Sequence, residues 1–193
     1  MADVVAFESV TLDGVMKAPG RPDEDTRDGF AHGGWAAPYA DHVTMGLAGE
    51  GSSSTGAMLF GRRTYEDFAG FWPNQPDNPF TDVLTATRKY VASTTLAEPL
   101  PWANSTLLSG DVPAAVERLE ADLDGDLLIL GSGVFVRWLI ARGLVDRLIM
   151  LIHPLVLGSG RRLFEEGLPA TRFGLTETRT SATGVVIATY ERG

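Results

Sequence analysis

Three short stretches of this chain carry residue types suited to holding an anion. The first is Leu127 to Leu144, LLILGSGVFVRWLIARGL. Leu127–Leu130 are continuously apolar, as in a strand buried on both faces. Gly131 and Gly133 allow a tight turn and keep Cβ atoms out of the way of a ligand. With Ser132 they lead into an apolar helix through Val134 and Phe135. The start of that helix turns free N–H groups and a positive dipole end toward the turn, which suits a phosphate. The second stretch is Gly61-Arg62-Arg63-Thr64-Tyr65, which follows the apolar Ala57–Phe60. The helix dipole disfavours basic residues at a helix start, whereas two guanidiniums there can hold phosphates in bidentate fashion. The third is Ser93-Thr94-Thr95, at the end of another strand-like segment. Each stretch also has a plainer reading: glycines that only turn the chain, a solvated basic helix start, hydroxyls that cap a turn. At the ends of three strands of one open α/β sheet, where such sheets bind ligands, the three together describe a dinucleotide with several phosphates.

Candidates for proton transfer are fewer. Asp13 stands just past the first strand in Thr-Leu-Asp-Gly, and serves equally as the first residue of an Asp-Gly turn. Asp41 beside His42 could form an acid–base pair, or His42 is a capped surface histidine. The remaining histidines are His32 and His153. No pair of histidines has metal-ligand spacing, and no metal site is expected. Trp35, Tyr39, Phe68, Trp72 and Leu157 are candidate walls for a flat heterocyclic substrate, or else core and loop anchors. Nucleophile-elbow, Walker and zinc signatures are absent from the sequence.

The elements that must position these residues follow from periodicity. Asp3–Leu12 alternates, with Val4, Ala6, Glu8 and Val10 on one face and Val5, Phe7 and Ser9 on the other. Residues 16–34 are rich in Pro, Gly and charge and read as a long loop, a common place for function. Pro38–Leu47 reads as a short helix and Gly49–Gly56 as a flexible connector. A strand at Ala57–Phe60 precedes a helix over Arg62–Ala69, and a loop spans Gly70–Pro79. A helix at Phe80–Thr87 and strands at Lys89–Ser93 and Thr106–Leu108 come next. Asp111 caps a helix that buries Val112, Val116, Leu119 and Leu123. Val145–Ile152 is a long strand. Arg172–Arg179 and Val185–Tyr190 form a closing hairpin. Strands alternating with helices predict a largely parallel sheet covered on both faces, made mixed by that hairpin.

The 193 residues, 44% hydrophobic, suffice for one core, and residues 1–193 read as a single domain. There are no cysteines, which excludes disulfides and thiolate metal sites. The net charge of -9 argues against a nucleic-acid partner. No apolar run is long enough to cross a bilayer, so no membrane association is expected and a cytoplasmic location is.

The order of Ser9-Val10-Thr11-Leu12-Asp13-Gly14, Leu59-Phe60-Gly61-Arg62-Arg63-Thr64-Tyr65-Glu66, Val91-Ala92-Ser93-Thr94-Thr95-Leu96 and Leu130-Gly131-Ser132-Gly133 resembles the dihydrofolate reductase superfamily. Gly143-Leu144-Val145-Asp146-Arg147-Leu148 and the run from His153-Pro154 to Leu163-Phe164 resemble one branch of it, the C-terminal reductase domain of bifunctional riboflavin-biosynthesis proteins. The likeness covers nearly the whole chain. It implies a dihydrofolate-reductase-like three-layer sandwich with a mixed, mostly parallel sheet of about eight strands. It also implies NADPH as hydride donor. On this likeness Arg62, after Gly61, meets the adenosine 2′-phosphate, and Arg63 and Thr64 approach the pyrophosphate. Ser93 and Thr94 surround the adenosine ribose phosphate. Gly131, Ser132, Gly133, Val134 and Phe135 lie under the pyrophosphate.

Two departures bear on the chemistry. Dihydrofolate reductases commonly carry Gly-Gly joined by a cis peptide where this chain has Gly131-Ser132, which leaves that bond's geometry open. Their acid follows Trp-x-x-Pro-x-Asp, whereas Trp35 to Asp41 is one residue longer, a rotation of roughly 100° on a helix. This argues against a folate substrate and leaves Asp13, Asp41 or water as proton source. The expectation is an NADPH-dependent reductase of a small heterocyclic or carbonyl-bearing metabolite. A ribosylaminopyrimidine reductase with a substrate-phosphate site near Arg161 and Arg162 is one alternative, and a nucleotide-binding protein without turnover is another. The apolar segments Phe135–Ile140 and Leu148–Leu151, with the pairing of the related reductases, predict a homodimer.

Overall fold

A computed structural model describes residues 2–52, 54–75 and 78–193. Eight strands form one sheet: β1 (Val4–Thr11), β2 (Thr55–Gly61), β3 (Lys89–Ala92), β4 (Ser105–Leu108), β5 (Asp126–Leu130), β6 (Arg147–His153), β7 (Phe173–Thr180) and β8 (Val186–Arg192). The spatial order is β4-β3-β2-β5-β1-β6-β8-β7. The first six in that order are mutually parallel, and β8 is antiparallel to both β6 and β7. The five helices are α1 (His42–Ser52), α2 (Arg62–Phe71), α3 (Pro79–Ala86), α4 (Val112–Asp122) and α5 (Gly133–Ile140). The expected three-layer, mixed and mostly parallel architecture is what forms.

The period-2 alternation of each strand sorts its side chains onto the two faces of the sheet. Val4, Ala6, Val10, Ala57, Leu59, Leu127 and Ile129 pack beneath Val116 of α4 and Val136, Leu139 and Ile140 of α5. On the opposite face Met58, Phe60 and Val91 pack with Tyr65 of α2 and Leu84 of α3. Leu151 and Ile187 pack with Leu47 of α1. The three are separate apolar clusters, and each buried Val, Leu or Ile contributes about 1.5–3 kcal/mol of transfer free energy.

Several boundaries differ from the sequence reading. The helix expected over Pro38–Leu47 is split. Ala37–Tyr39 make one 3-10 turn, and α1 begins only at His42. The reason is Asp41, whose carboxylate accepts from the Val43 and Thr44 amides and so caps the later helix. The connector expected at Gly49–Gly56 is mostly structured, since α1 runs to Ser52 and β2 starts at Thr55; Ser53 lies outside the described residues. The loop expected over Gly70–Pro79 starts later, because α2 runs to Phe71 and Trp72–Asn74 add a 3-10 turn; residues 76 and 77 lie outside the described set. The apolar segments that suggested a dimer are used within one chain. Val136, Leu139, Ile140, Leu148 and Leu151 are all buried in its own cores. Among the described residues, no helix is long and apolar enough to cross a membrane.

Candidate active site

The parallel strands β4, β3, β2, β5, β1 and β6 end along one edge, and the turns that follow them are neighbours there. Gly61 has no Cβ to separate the ends of β2 and β5; a Cβ at that position would stand 3.2 Å from Phe135 Cβ. The two turns are bonded directly, the Gly61 amide donating to Ser132 Oγ at 3.1 Å. Gly131 and Ser132 both adopt left-handed conformations, φ 63° and 61°. Their peptide bond is not among the cis bonds of the described residues, which settles it as trans. The hydroxyl of Ser132, committed to Gly61, does not cap α5, and no side chain caps α2 either. Two helix N-termini of eight residues or more therefore present uncapped N–H groups side by side.

Both open onto one cavity of about 1210 Å³. Gly61, Arg62, Arg63, Thr64, Ser93, Thr94, Gly131, Ser132, Gly133, Val134 and Phe135 all line it, so the structure brings the three anion-suited stretches together. Their side chains differ in commitment. Arg62 donates to Glu66 one turn along α2, at 2.9 Å. Arg63 is exposed and makes no ion pair among the described residues. Ser93 Oγ accepts from the Thr95 and Leu96 amides at 3.1 and 3.0 Å, so it shapes its own turn. Arg161 also lines the cavity, with no ion pair among the described residues. The long loop over residues 16–34 supplies another wall through Lys17, Arg21, Glu24 and Arg27. Its cations are paired: Lys17 with Asp25 and Asp28 at 3.6 Å, Arg21 with Asp67 of α2 at 2.6 Å, and Arg27 with Asp25. The Arg21–Asp67 pair pins the loop to α2.

The two candidate acids have other duties. Asp13 accepts from Thr11 Oγ1 at 2.6 Å and from the Leu157 and Gly158 amides at 3.2 and 2.9 Å, and Arg162 stands 3.5 Å away. These hydrogen bonds, that from Thr11 foremost, hold its carboxyl down at about 2. Asp41 accepts from Thr44 and Val43 at the start of α1 and from the Ala182 amide of the β7–β8 turn. The same bonds lower its pKa. Both are hydrogen-bonded carboxylates outside the cavity lining. His153 is buried, with Nδ1 against the Leu151 and Val10 carbonyls, and burial lowers its pKa.

Of the proposed substrate walls, Phe68 and Trp72 line the cavity, joined there by Phe80. Trp35, Tyr39 and Leu157 do not. Trp35 donates its indole N–H to the Lys17 carbonyl and packs edge-on against His153, 5.0 Å between centroids. Tyr39 meets the same histidine at 5.7 Å. Leu157 is held by its amide to Asp13. These three brace the loops behind the cavity. Arg162, expected near a substrate phosphate, is spent on the Asp13 carbonyl and carboxylate.

A buried acid of the cavity lining also escaped the sequence reading. Glu8 is 2% exposed, and its Oε1 is buried without a partner. The signal was an acid standing in register with Val4, Ala6 and Val10 on an otherwise apolar strand face.

The family model described as "RibD C-terminal domain" matches residues 2–187. Among curated proteins, the uncharacterized protein YyaP of Bacillus subtilis (strain 168) is 29% identical over 139 residues, 69% of this chain and 72% of that one. A putative riboflavin biosynthesis protein from Shewanella sp. PV-4 superposes with a TM-score of 0.71 at 20% identity, covering 100% of this chain and 99% of the other. A dihydrofolate reductase from Enterococcus faecalis, complexed with NADP(H) and RAB-propyl, superposes with a TM-score of 0.61 at 15% identity, covering 99% and 96%. These structural likenesses extend over the whole fold.

Proposed function

The chain belongs to the RibD C-terminal domain family, and from that premise we propose that it is an NADPH-dependent reductase of a small heterocyclic or carbonyl-bearing metabolite. The observation that carries this reading is the convergence of three strand-end turns on one cavity, with two uncapped helix N-termini and Arg62 and Arg63 beside them. That donor set fits a nucleotide bearing several phosphates. The left-handed Gly131 turn and the Cβ-free Gly61 keep backbone close to where phosphate oxygens would sit.

In this reading Arg62 holds the phosphate on the adenosine ribose, and Arg63 approaches the pyrophosphate. Thr64, Ser132, Gly133 and Val134 meet the pyrophosphate, and Thr94 with Ser93 borders the adenosine. NADPH, when bound, supplies a hydride. The protein orients donor and acceptor, and the packed loop and Phe68, Trp72 and Phe80 exclude water from the site. Arg161 is the guanidinium left to meet an anionic substituent on the substrate. The ribosylaminopyrimidine version therefore rests on Arg161 alone, Arg162 being bound to Asp13.

Titration of the purified protein with NADPH and NADH, followed by oxidation assays against pterins, pyrimidines and quinones, tests the reading. Saturable NADPH binding with oxidation by an acceptor is the expected result. Binding without oxidation favours a nucleotide-binding protein, and no binding of either nucleotide removes both readings.

We also propose that the protein pairs as a homodimer. Support comes from the outer strands, where Leu175 of β7 and Val186 of β8 are 56% and 38% exposed. Sedimentation as a monomer at micromolar concentration would exclude the pairing.

A further inference from the structure

Glu8 occupies a place the strand pattern reserves for an apolar side chain. It lies on β1 between Ala6 and Val10, on the face covered by α4 and α5. Its side chain makes no hydrogen bond or ion pair among the described residues, and Oε1 is sealed off with no partner. Burying an unpaired carboxyl is costly, and packing alone gives no reason for it. Yet Glu8 lines the same cavity as the three turns.

Its surroundings are uncharged. Met150 stands in register beside it on β6. On β5 Leu130 pairs with Phe7, so the Gly131 turn follows at the level of Glu8. Gly133 opens α5 and is packed by Met16 of the loop and by Leu163. Lys17 and Arg161 line the same cavity, Lys17 turned to Asp25 and Asp28, but neither acts on the Glu8 carboxyl. No charge offsets the burial, which pushes the Glu8 carboxyl up to about 8. Asp13 and Asp41, by contrast, are ionised and saturated.

Position along the sheet edge gives this acid its place. The turns after β3, β2 and β5 take the adenosine end and the phosphates in the reading above. The next strand in the order is β1. The remainder of a dinucleotide laid along that edge reaches β1, which lines the cavity through Val5, Phe7, Glu8 and Ser9, Glu8 being the one titratable side chain among them.

We propose that Glu8 is the proton donor of the reduction, held beside the reacting end of the bound nucleotide. The proposal rests on the reductase reading. A C=N or C=O bond that accepts a hydride with its electron pair at carbon moves its π pair onto the heteroatom. That atom takes the proton from Glu8, whose O–H bond breaks to leave a carboxylate. The hydride donor is left oxidised, and the carboxylate regains a proton from water before the next turnover.

The test needs no substrate. Reduced and oxidised nicotinamide dinucleotides differ by one positive charge on the ring, and share every phosphate. A carboxyl beside that ring loses its proton more readily in the oxidised complex. NADP+ and NADPH binding to the wild type and to Glu8→Gln is measured by calorimetry from about pH 6 to pH 9, spanning the raised carboxyl. Wild-type affinity for NADP+ is expected to rise relative to NADPH with pH, by about tenfold for each pKa unit of displacement. In Glu8→Gln the ratio is expected to stay flat. As a second measurement, infrared difference spectra of the wild type should contain a protonated-carboxyl band that titrates near 8 and that NADP+ removes. A ratio independent of pH in the wild type, or a dependence that survives in Glu8→Gln, overturns the role of Glu8 while the reductase reading stands. Failure of both nucleotides to bind removes the reductase reading, and the role of Glu8 with it.

Discussion

The Gly61 amide donates to Ser132 Oγ at 3.1 Å, across 71 residues of chain. This bond latches the turn after β2 to the turn after β5 and fixes the spacing of the two helix N-termini. It also explains why Ser132, at the N-cap position of α5, leaves that helix uncapped. Ser132→Ala removes the acceptor from a partly buried amide. The expected loss is about 1 kcal/mol of stability, read from urea unfolding. A weaker NADPH complex with no change in the acceptor KM is expected beside it.

Arg62 and Arg63 divide the phosphate work unequally. Arg62 is drawn to Glu66 at 2.9 Å, whereas Arg63 is unpaired. Arg62→Ala should weaken NADPH roughly tenfold or more, as expected for loss of a charged hydrogen bond, and leave NADH nearly unchanged. Arg63→Ala should weaken both nucleotides. Glu66→Ala, which releases Arg62, should tighten NADPH. Equal losses for the two nucleotides in Arg62→Ala would move the 2′-phosphate contact elsewhere. Fluorescence titration of each variant decides among these.

The sheet and the cofactor-suited turns were legible because each is a local pattern. Apolar tetrads such as Leu127–Leu130, punctuated by Gly131 or Gly61, mark strand ends without help from tertiary contacts. Asp111 before Val112 and Val116 marks α4 in the same way, and its carboxylate does accept from the Ala114 amide. The site beyond the turns was not legible, because it is set by partners far away in sequence. Asp13 is a turn residue in sequence, but its saturation comes from the amides of Leu157 and Gly158, 144 and 145 residues on. Asp41 caps α1 through one carboxylate oxygen, and the Ala182 amide, 141 residues away, fills the other. The rotation expected of Asp41 on a continuous helix does not arise, since it precedes α1. Trp35 and Tyr39 converge on His153, which leaves them no surface toward the cavity.

Asp13 gives a pH dependence with a definite sign. Its folded carboxyl is held at about 2, below the ordinary 3.8. The unfolded chain therefore binds the proton more readily, and the stabilisation is full above the ordinary value. It is lost as the pH falls through the folded value. Asp13→Asn is expected to lower Tm at neutral pH and to free the loop around Leu157 and Gly158. The difference from wild type should shrink between about pH 4 and pH 2. A difference that stays constant across that window would mean that the carboxylate's charge contributes nothing to the latch.

Glu8 predicts the opposite slope. Its carboxyl is raised from 4.5 to about 8 in the fold. Below the unfolded value both states are protonated and the group is neutral in the balance. As pH rises from 4.5 toward 8 the unfolded chain gives up its proton first, so the fold loses stability across that interval and not above it. With the side chain fully buried, the cost is of the order of a few kcal/mol. Glu8→Gln cannot ionise, and its amide meets the same lack of partners, so it is expected to be level with or below wild type in acid. Its stability relative to wild type should climb with pH and reach a plateau near 8. Urea unfolding at a series of pH values measures this without nucleotide or substrate. A carboxyl kept protonated at the cost of stability is an arrangement that a packing role does not require, and a proton donor does.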